Sequence, residues 1–300
     1  FDILKKSWQE LLPLTEKKSA IQKDAILLKN SLEEKLKKIS KLEEIPEPEL
    51  FFEFDQEDYV PQKMVYFNGE LYFYSSFAND VYKLTKTAEK SILKTDQKFD
   101  KAVPINNSLS FFKKPNLIFL LKNGDFKEPV SLKLPYPDFD PEALASYQSN
   151  LYFLDGKNGE IIKYPGPLSQ GKDSPQIWLK PETKKTIEAK SLAIDGNIWI
   201  LNKDNTISRY FKGNFQNSLT LDFFPFPKDL SKISSQSEFL YLLELAQNRV
   251  IILNKTGQVL KQFQSEKFDA LKDFAVSEDG KTIYVLNGTK VYILRPDLKP

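Results

Sequence analysis

A short apolar cassette that always contains an aromatic residue recurs six times along this 300-residue chain. Its copies start 34 to 47 residues apart, and short strands at a spacing of roughly 40–50 residues are typical of the blades of a β-propeller. The copies are LYFY (71–74), LIFL (117–120), LYFL (151–154), IWIL (198–201), LYLL (240–243) and IYVL (283–286). Further runs of β-branched and aromatic residues, bounded by Gly, Asn, Asp and Pro, surround these copies. The repeat predicts an all-β fold, a six-bladed β-propeller.

The two ends of the repeat region predict how such a ring closes. After DFAV (273–276), the last cassette and KVYIL (290–294), the chain ends without an outer strand for this blade. The segment ELFFEF (49–54) precedes the first cassette and belongs to no blade of its own. We expect it to pair antiparallel with KVYIL, because closure removes the exposed sheet edges of a broken ring. Residues 49–300 then form one propeller.

The first 44 residues lack the repeat and are predicted to be helical. They contain no Gly, their apolar residues follow in steps of three and four, and Pro46 and Pro48 are expected to stop the helix. This apolar stripe comprises Ile21, Ala25, Leu28, Leu32, Leu36, Ile39 and Leu42. Residues 1–48 are expected to be a stalk or linker that docks on the propeller, or a site of weak self-association. On this interpretation they contribute no strand, and a chain starting near Ile45 folds by itself.

The amino-acid composition excludes several kinds of functional site. The chain has no Cys and no His, which excludes disulfides, thiolate zinc sites, Cys nucleophiles and imidazole bases. The formal net charge is +2, and ten Lys against eight acidic residues in positions 1–44 account for it. Only three of the 43 basic residues are Arg, the side chain best suited to bidentate phosphate recognition, which weighs against a nucleic-acid partner.

Two stretches resemble known propeller repeats. FAVSEDGKTIYVLNGTKVYIL (274–294) resembles the repeat of YVTN-type propellers, in which an Asp-Gly-Lys turn joins an inner strand to an I-Y-V strand. LYFLDGKNGEIIKY (151–164) is similar to NHL-type repeats, which place a Gly-Asn-Gly hairpin before an isoleucine strand. The resemblance implies a propeller that binds a ligand or a protein. Because these motifs consist of residues that form turns, they indicate the fold more than the function.

Hairpin asparagines are a first set of candidate binding residues. They follow the start of their cassettes by seven or eight residues, and equivalent loops of a propeller lie on one face of the ring. They are Asn79, Asn158, Asn205 and Asn248. Asn also tolerates the left-handed backbone region of tight turns, so a purely structural role is the alternative.

A repeated Phe-Asp pair is the second candidate. It occurs in KFDKAV (98–103), DFDPEALA (138–145) and KFDALKDFA (267–275), each time before an expected inner strand. Asp100, Asp140 and Asp269 are therefore expected at one mouth of the central channel. They either form an acidic collar for a cation or a basic ligand, or each Asp caps its turn while the Phe packs between blades.

A metal centre and an aromatic contact loop are two further possibilities. A calcium ion needs several oxygen ligands that converge on one point. The expected inner strands MVYF (64–67), SLSFF (108–112), SLAI (191–194) and DFAV are mostly apolar, so neither a metal nor a cofactor is expected. The loop FFPFP (223–227) is expected at a blade junction, where it either joins the core or contacts a partner.

These patterns favour a non-enzymatic binding, sensor or scaffold module that recognises a protein or a small molecule on one propeller face. The alternative is a lactonase-like hydrolase that holds a divalent ion in its channel by carboxylates. The chain starts at Phe1 rather than Met, and we expect an upstream membrane anchor that places the propeller on the extracytoplasmic side.

Overall fold

Six sheets, each centred on one sequence repeat, form a closed ring in the computed structural model. The structure describes residues 1–298 apart from 17, 19, 58, 167–173, 184, 185 and 187. The inner strand of every blade contacts the inner strands of both neighbouring blades, including those of blades six and one. The predicted six-bladed β-propeller is therefore confirmed.

The ring is preceded by two helices and two short strands. These are α1 (Asp2–Glu16), α2 (Gln22–Ile39), β1 (Leu42–Glu44) and β2 (Glu49–Glu53). Blade one contains β3 (Lys63–Phe67), β4 (Glu70–Tyr74), β5 (Val81–Leu84) and β6 (Lys90–Leu93). Blade two contains β7 (Lys101–Ile105), β8 (Ser108–Lys113), β9 (Leu117–Lys122), β10 (Asp125–Phe126) and β11 (Val130–Ser131). Blade three contains β12 (Ala143–Tyr147), β13 (Asn150–Asp155), β14 (Glu160–Tyr164) and β15 (Gln176–Ile177). Blade four contains β16 (Ala189–Ile194), β17 (Ile198–Asn202), β18 (Ile207–Phe211) and β19 (Asn214–Leu219). Blade five contains β20 (Leu230–Gln236), β21 (Phe239–Glu244), β22 (Arg249–Asn254) and β23 (Val259–Gln264). Blade six contains β24 (Leu271–Val276), β25 (Ile283–Asn287) and β26 (Lys290–Leu294).

The expected closing strand is present. β2 pairs antiparallel with β26, with Leu50 opposite Tyr292 and Phe52 opposite Val291, and it completes blade six as its outer strand. An ion pair between Glu49 and Arg295 extends this contact at the rim. The ring is therefore closed by residues from both ends of the repeat region, and blade six obtains its fourth, outer strand from β2.

Blade two differs from the sequence-based interpretation. In the other five blades the cassette is the second strand, whereas LIFL (117–120) lies in β9, the third strand. The equivalent second strand is β8, so SLSFF (108–112) is not an inner strand, and Lys101–Ile105 takes that place. Counted from Leu71 to Leu109 to Leu151, the steps become 38 and 42 residues. The irregular spacing thus came from matching the wrong strand of this blade.

One large apolar side chain lies in each crossing from the outer strand of one blade to the inner strand of the next. Each of these side chains is buried and belongs to a cluster that joins the two blades it connects. In ring order they are Phe54, Phe99, Phe139, Leu179, Phe223 and Phe268. The Phe of each Phe-Asp pair is therefore part of the packing between neighbouring sheets.

The start of the chain is not one helix up to residue 44. The helices end at Glu16 and Ile39, and Lys41 adopts a left-handed φ of 56°. Strand β1 then pairs in parallel with β23, as a fifth strand of blade five. The expectations that Pro46 and Pro48 stop the helix and that this segment supplies no strand are wrong. The free outer edge of β23 offers backbone partners that a continued helix could not use.

The N-terminal segment docks on blade five through buried polar groups. Ser40 Oγ accepts a hydrogen bond of 2.7 Å from the Phe224 backbone N–H. The Gln262 side-chain amide donates to the carbonyls of Ser40 and Phe224, at 2.6 and 3.0 Å. Trp8 of α1 packs edge-on against Phe224, with ring centroids 5.3 Å apart. The loop FFPFP (223–227) is therefore part of the surface on which the two helices pack.

The apolar stripe of the helices is only partly covered. Ala25, Leu32 and Leu36 are buried, whereas Ile21, Leu28 and Ile39 stay about half exposed. Within the described residues, no helix combines the length and the apolar character needed to cross a bilayer.

Replacing the buried Phe54 by Ala should destabilise the closed ring. Phe54 is 2% exposed at the end of the closing strand and packs against Phe73 of blade one, with ring centroids 4.9 Å apart. Loss of this contact is expected to lower the free energy of unfolding by about 3–5 kcal/mol. Phe77→Ala, at a side chain that is 77% exposed, is the matched control and should change it by less than about 0.5 kcal/mol. Equal effects of the two substitutions in urea unfolding would contradict the anchoring role of Phe54.

Removing the Ser40 hydroxyl tests whether the N-terminal segment is part of the folded unit. In Ser40→Ala the buried Phe224 N–H loses its acceptor, which should cost about 1–3 kcal/mol of unfolding free energy. Ser76→Ala, in an exposed turn of blade one, should be neutral. If thermal unfolding shows that both variants match the parent, the segment is a stalk after all, and a chain starting near Ile45 should be as stable as the full one.

Candidate functional site

The central channel is bordered by the inner strands of all six blades. It encloses a cavity of about 430 Å³, within the range of volumes found for small-molecule sites. One end is lined by charged side chains, and the other end by Tyr66, Ser234, Ser235 and Gln236. The channel therefore has a charged mouth and a polar, uncharged mouth.

Asp100 was predicted at the mouth of the channel, but the lysines that line it were not, because they lie at the edges of the apolar stretches of the inner strands. Lysines lie at or near the start of four inner strands and line the cavity: Lys63, Lys101, Lys190 and Lys232. Blade three has Glu142 directly before its inner strand instead. The recurrence of a basic residue next to each apolar stretch, as in KMVYF (63–67) and KSLAI (190–194), was the available signal.

The carboxylates of the channel are all engaged by neighbouring groups. Asp273, which is 1% exposed, accepts hydrogen bonds from the Met64 N–H at 2.9 Å and from Lys232 Nζ at 2.5 Å. Glu142 accepts from the Gly156 N–H at 2.6 Å, and Asp100 accepts from the Lys114 N–H at 2.9 Å. These carboxylates therefore fix backbone positions instead of converging on a common point.

The four channel lysines fall into two classes. Lys232 is paired with Asp273, and Lys190 Nζ donates to Asp229 at 2.8 Å and to the Leu230 carbonyl at 3.0 Å. Lys63 and Lys101 form neither a hydrogen bond nor an ion pair with any described residue through their ammonium groups. Two cationic groups on adjacent blades thus remain available at the charged mouth.

Lys101 has a strongly shifted proton affinity. Loss of hydration in the channel wall, followed by repulsion from Lys114 and Lys63, lowers the pKa of its ammonium group to about 8. Asp100 and Asp140 oppose this shift without cancelling it. Lys101 therefore changes charge close to neutral pH, as do many lysines in binding and catalytic sites.

The three aspartates of the Phe-Asp pairs occupy equivalent crossings but do not converge. Asp100 lines the channel, whereas Asp140 and Asp269 are exposed on the crossing loops. Asp140 forms an ion pair with Lys114, and Asp269 accepts a hydrogen bond of 3.0 Å from the Asn287 side chain. Asp100 and Asp269 therefore tie their crossings to the following blade, whereas Asp140 ties its crossing to the preceding blade two. Within the described residues, no group of three or more acidic side chains is arranged to hold a metal ion.

The four hairpin asparagines lie in equivalent turns between the second and third strands. Asn205 and Asn248 adopt left-handed φ angles of 63° and 51°, and Asn205 also accepts a hydrogen bond of 3.0 Å from the Leu230 N–H. Asn158 donates to Asp155 through its backbone and its side chain, and Asn79 is exposed. Asn205, Asn158 and Asn248 thus shape turns, and none of the four lines the channel.

A second crevice, of about 540 Å³, lies between α1 and blades four and five. Lys5 and Asp222 line it and form an ion pair of 2.5 Å with each other. Because this pair satisfies both charges and the crevice is bounded by loops, the channel is the stronger candidate site.

Comparison with known proteins supports the fold. No family model and no curated protein matches the chain. Among solved structures, a streptogramin B lyase has a TM-score of 0.60 at 15% identity, over 82% of this chain and 96% of that one. A gluconolactonase from Xanthomonas campestris has a TM-score of 0.61 at 10% identity, with coverages of 79% and 86%. The calcium-binding protein regucalcin from Agrobacterium tumefaciens has a TM-score of 0.57 at 9% identity, with coverages of 85% and 95%. At these identities the likeness establishes the architecture alone, and this chain is a six-bladed β-propeller of the kind that its repeats predict.

Proposed function

We propose that this propeller is a non-enzymatic binding module that holds a small ligand at the charged mouth of its central channel. The observation that carries the proposal is that the carboxylates of the channel are hydrogen-bonded, whereas two of its lysines are not. The carboxylates Asp100, Glu142 and Asp273 support the backbone, while Lys63 and Lys101 remain without partners. A cavity walled by rigid strands with a few unpaired polar groups is the usual form of a small-molecule site.

The alternative is a metal-dependent hydrolase. It is suggested by the lactonase-like architecture, which this chain shares only as a fold. To hold a divalent ion, Asp100, Glu142 and Asp273 would have to bring their oxygens onto one point, whereas each now accepts a hydrogen bond from a different backbone N–H. The engagement of these carboxylates therefore favours the binding module.

The proposal also covers the setting of the module. A connection of the two helices to a membrane anchor stays a proposal. The half-exposed side chains Ile21, Leu28 and Ile39 support weak self-association through α2. A protein partner on one propeller face stays a further proposal.

Filling the channel should abolish ligand binding without unfolding the protein. Ala145 is on the inner strand of blade three and lines the cavity, so Ala145→Trp should place an indole in the ligand space. Thermal-shift screening of a metabolite library should give hits with the parent that this variant loses. Ala246→Trp, at an exposed turn of blade five, is the control and should retain them.

The same protein should show no hydrolysis of a lactone and ester panel in the presence of Ca²⁺, Mg²⁺ or Mn²⁺. Turnover that needs one of these ions and is lost in Asp273→Asn would establish the hydrolase instead. Hits that survive Ala145→Trp would move the binding site out of the channel.

A further inference from the structure

Strand register places six residues in one layer around the channel. Each of them pairs with the last residue of the four-residue second-strand segment of its own blade, from Tyr74 in blade one to Leu286 in blade six. In blade order the layer consists of Lys63, Lys101, Ala143, Ser191, Lys232 and Asp273. Three lysines and one carboxylate therefore share one level of the ring.

Three members of this layer bind the inner strand of the next blade. Ser191 accepts a hydrogen bond of 3.2 Å from the Ile233 N–H. Lys232 donates to the Phe274 carbonyl at 2.8 Å, and Asp273 accepts from the Met64 N–H at 2.9 Å. The side chains in blades four to six thus close the gaps between neighbouring inner strands.

The layer members of blades one and two have no such role. Lys63 and Lys101 form no hydrogen bond to the inner strand of the next blade among the described residues. Between blades one and two, the Ala102 N–H instead donates to the Tyr74 hydroxyl at 2.9 Å. Their neighbour Lys114 adds a third cation, whose ammonium group is paired with Asp140. The excess positive charge of the layer is therefore concentrated at the junction of blades one and two.

We propose that Lys63 and Lys101 bind a small organic anion, carrying carboxylate or phosphate groups, at this junction. The inference rests on the proposed binding function and adds the class of ligand. Lys101 lies in a partly dehydrated wall close to the exposed cation Lys63, and its lowered pKa reflects both its burial and this repulsion. An anion removes this repulsion and gains charge-assisted hydrogen bonds. Lysine ammonium groups act as compact point charges and do not require the planar geometry that Arg imposes.

The size and the polarity of the cavity define the ligand further. About 430 Å³ holds a small molecule and not a polymer chain. Below the lysines, Ala145, Ser146 and Ala193 line the channel with small side chains, and Ser234 and Gln236 follow towards the other mouth. The ligand should therefore present its anionic groups to Lys63 and Lys101 and a short neutral body to the channel.

Calorimetry with matched probes tests this inference. The probes are propane-1,2,3-tricarboxylate, inorganic phosphate and the neutral propane-1,2,3-tricarboxamide, which has the shape of the first without its charge. The parent should bind at least one anion at pH 7 and not the amide. Lys63→Met combined with Lys101→Met should weaken this binding at least tenfold. Lys122→Met combined with Lys281→Met removes the same net charge from exposed positions and should leave it unchanged.

Proton uptake gives an independent readout. Since the pKa of Lys101 lies at about 8, this group is largely charged at pH 7 and mostly neutral at pH 9. A bound anion raises that pKa, so binding at pH 8–9 should take up protons, and affinity should fall as the pH rises from 7 to 9. Titrations in two buffers of different ionisation enthalpy measure this uptake, which Lys101→Met should abolish.

Three results would overturn the inference: no binding of either anion at millimolar concentration, binding that survives the double substitution, or equal binding of the amide. The two anions distinguish carboxylate from phosphate recognition. A neutral ligand found by the channel screen would overturn the anion assignment and leave the binding module intact. Metal-dependent turnover would overturn the module itself. Unchanged circular dichroism and melting of the double variant, expected because both lysines lack partners, exclude misfolding as the cause of lost affinity.

Discussion

Closure of the ring is the constraint on which every other feature of this structure depends. A ring of six sheets closes only if the last sheet packs on the first, and here β2, from before the repeat region, completes the last sheet by pairing with β26. Phe54 then carries the contact into blade one. Because this closure makes the ring continuous, the inner strands are held at fixed distances around the channel. The geometry of the candidate site is therefore a consequence of the way in which the chain ends meet.

The N-terminal segment adds a second level of support through a buried ionic network. Arg249 and Glu244 form a buried pair of 2.5 Å, and Arg249 also donates to Gln262 and to the Pro225 carbonyl. Burial lowers the pKa of Arg249, and Glu244 opposes that shift. Such pairs contribute little net stability, yet leaving one partner alone is costly, so they specify one arrangement. Gln262 accepts a hydrogen bond from Arg249 and donates one to the Ser40 carbonyl. This link explains why the helices take a defined place on blade five.

Most of the fold could be predicted because its signals are local and repeated. The six cassettes predict the number of blades. The segment 49–54, which belongs to no cassette, predicts how the ring closes. Blade two was misread because LSFF (109–112) and LIFL (117–120) have the same apolar character, and only pairing shows which is the second strand. Residues 42–44 form a strand because the edge of β23 is free, a tertiary effect that no local pattern encodes. The site depends on register, so the layer that unites Lys63, Lys101 and Lys232 cannot be read from the sequence.

The blades of this propeller share one backbone geometry but carry different side chains at equivalent positions. Such differences determine what a propeller can bind. At the same layer, Ser191, Lys232 and Asp273 satisfy the neighbouring backbone, whereas Lys63 and Lys101 do not, although all five stand at equivalent register positions. Structural needs therefore do not explain why two adjacent blades carry unpaired cations. The cost of placing Lys101 in a partly dehydrated wall near Lys114 and Lys63 is visible in its lowered pKa, and the anion that we propose would reduce this cost. The strands thus fix the geometry of the channel. The few channel side chains that form no bond to a neighbouring blade determine the charge of the ligand that we propose.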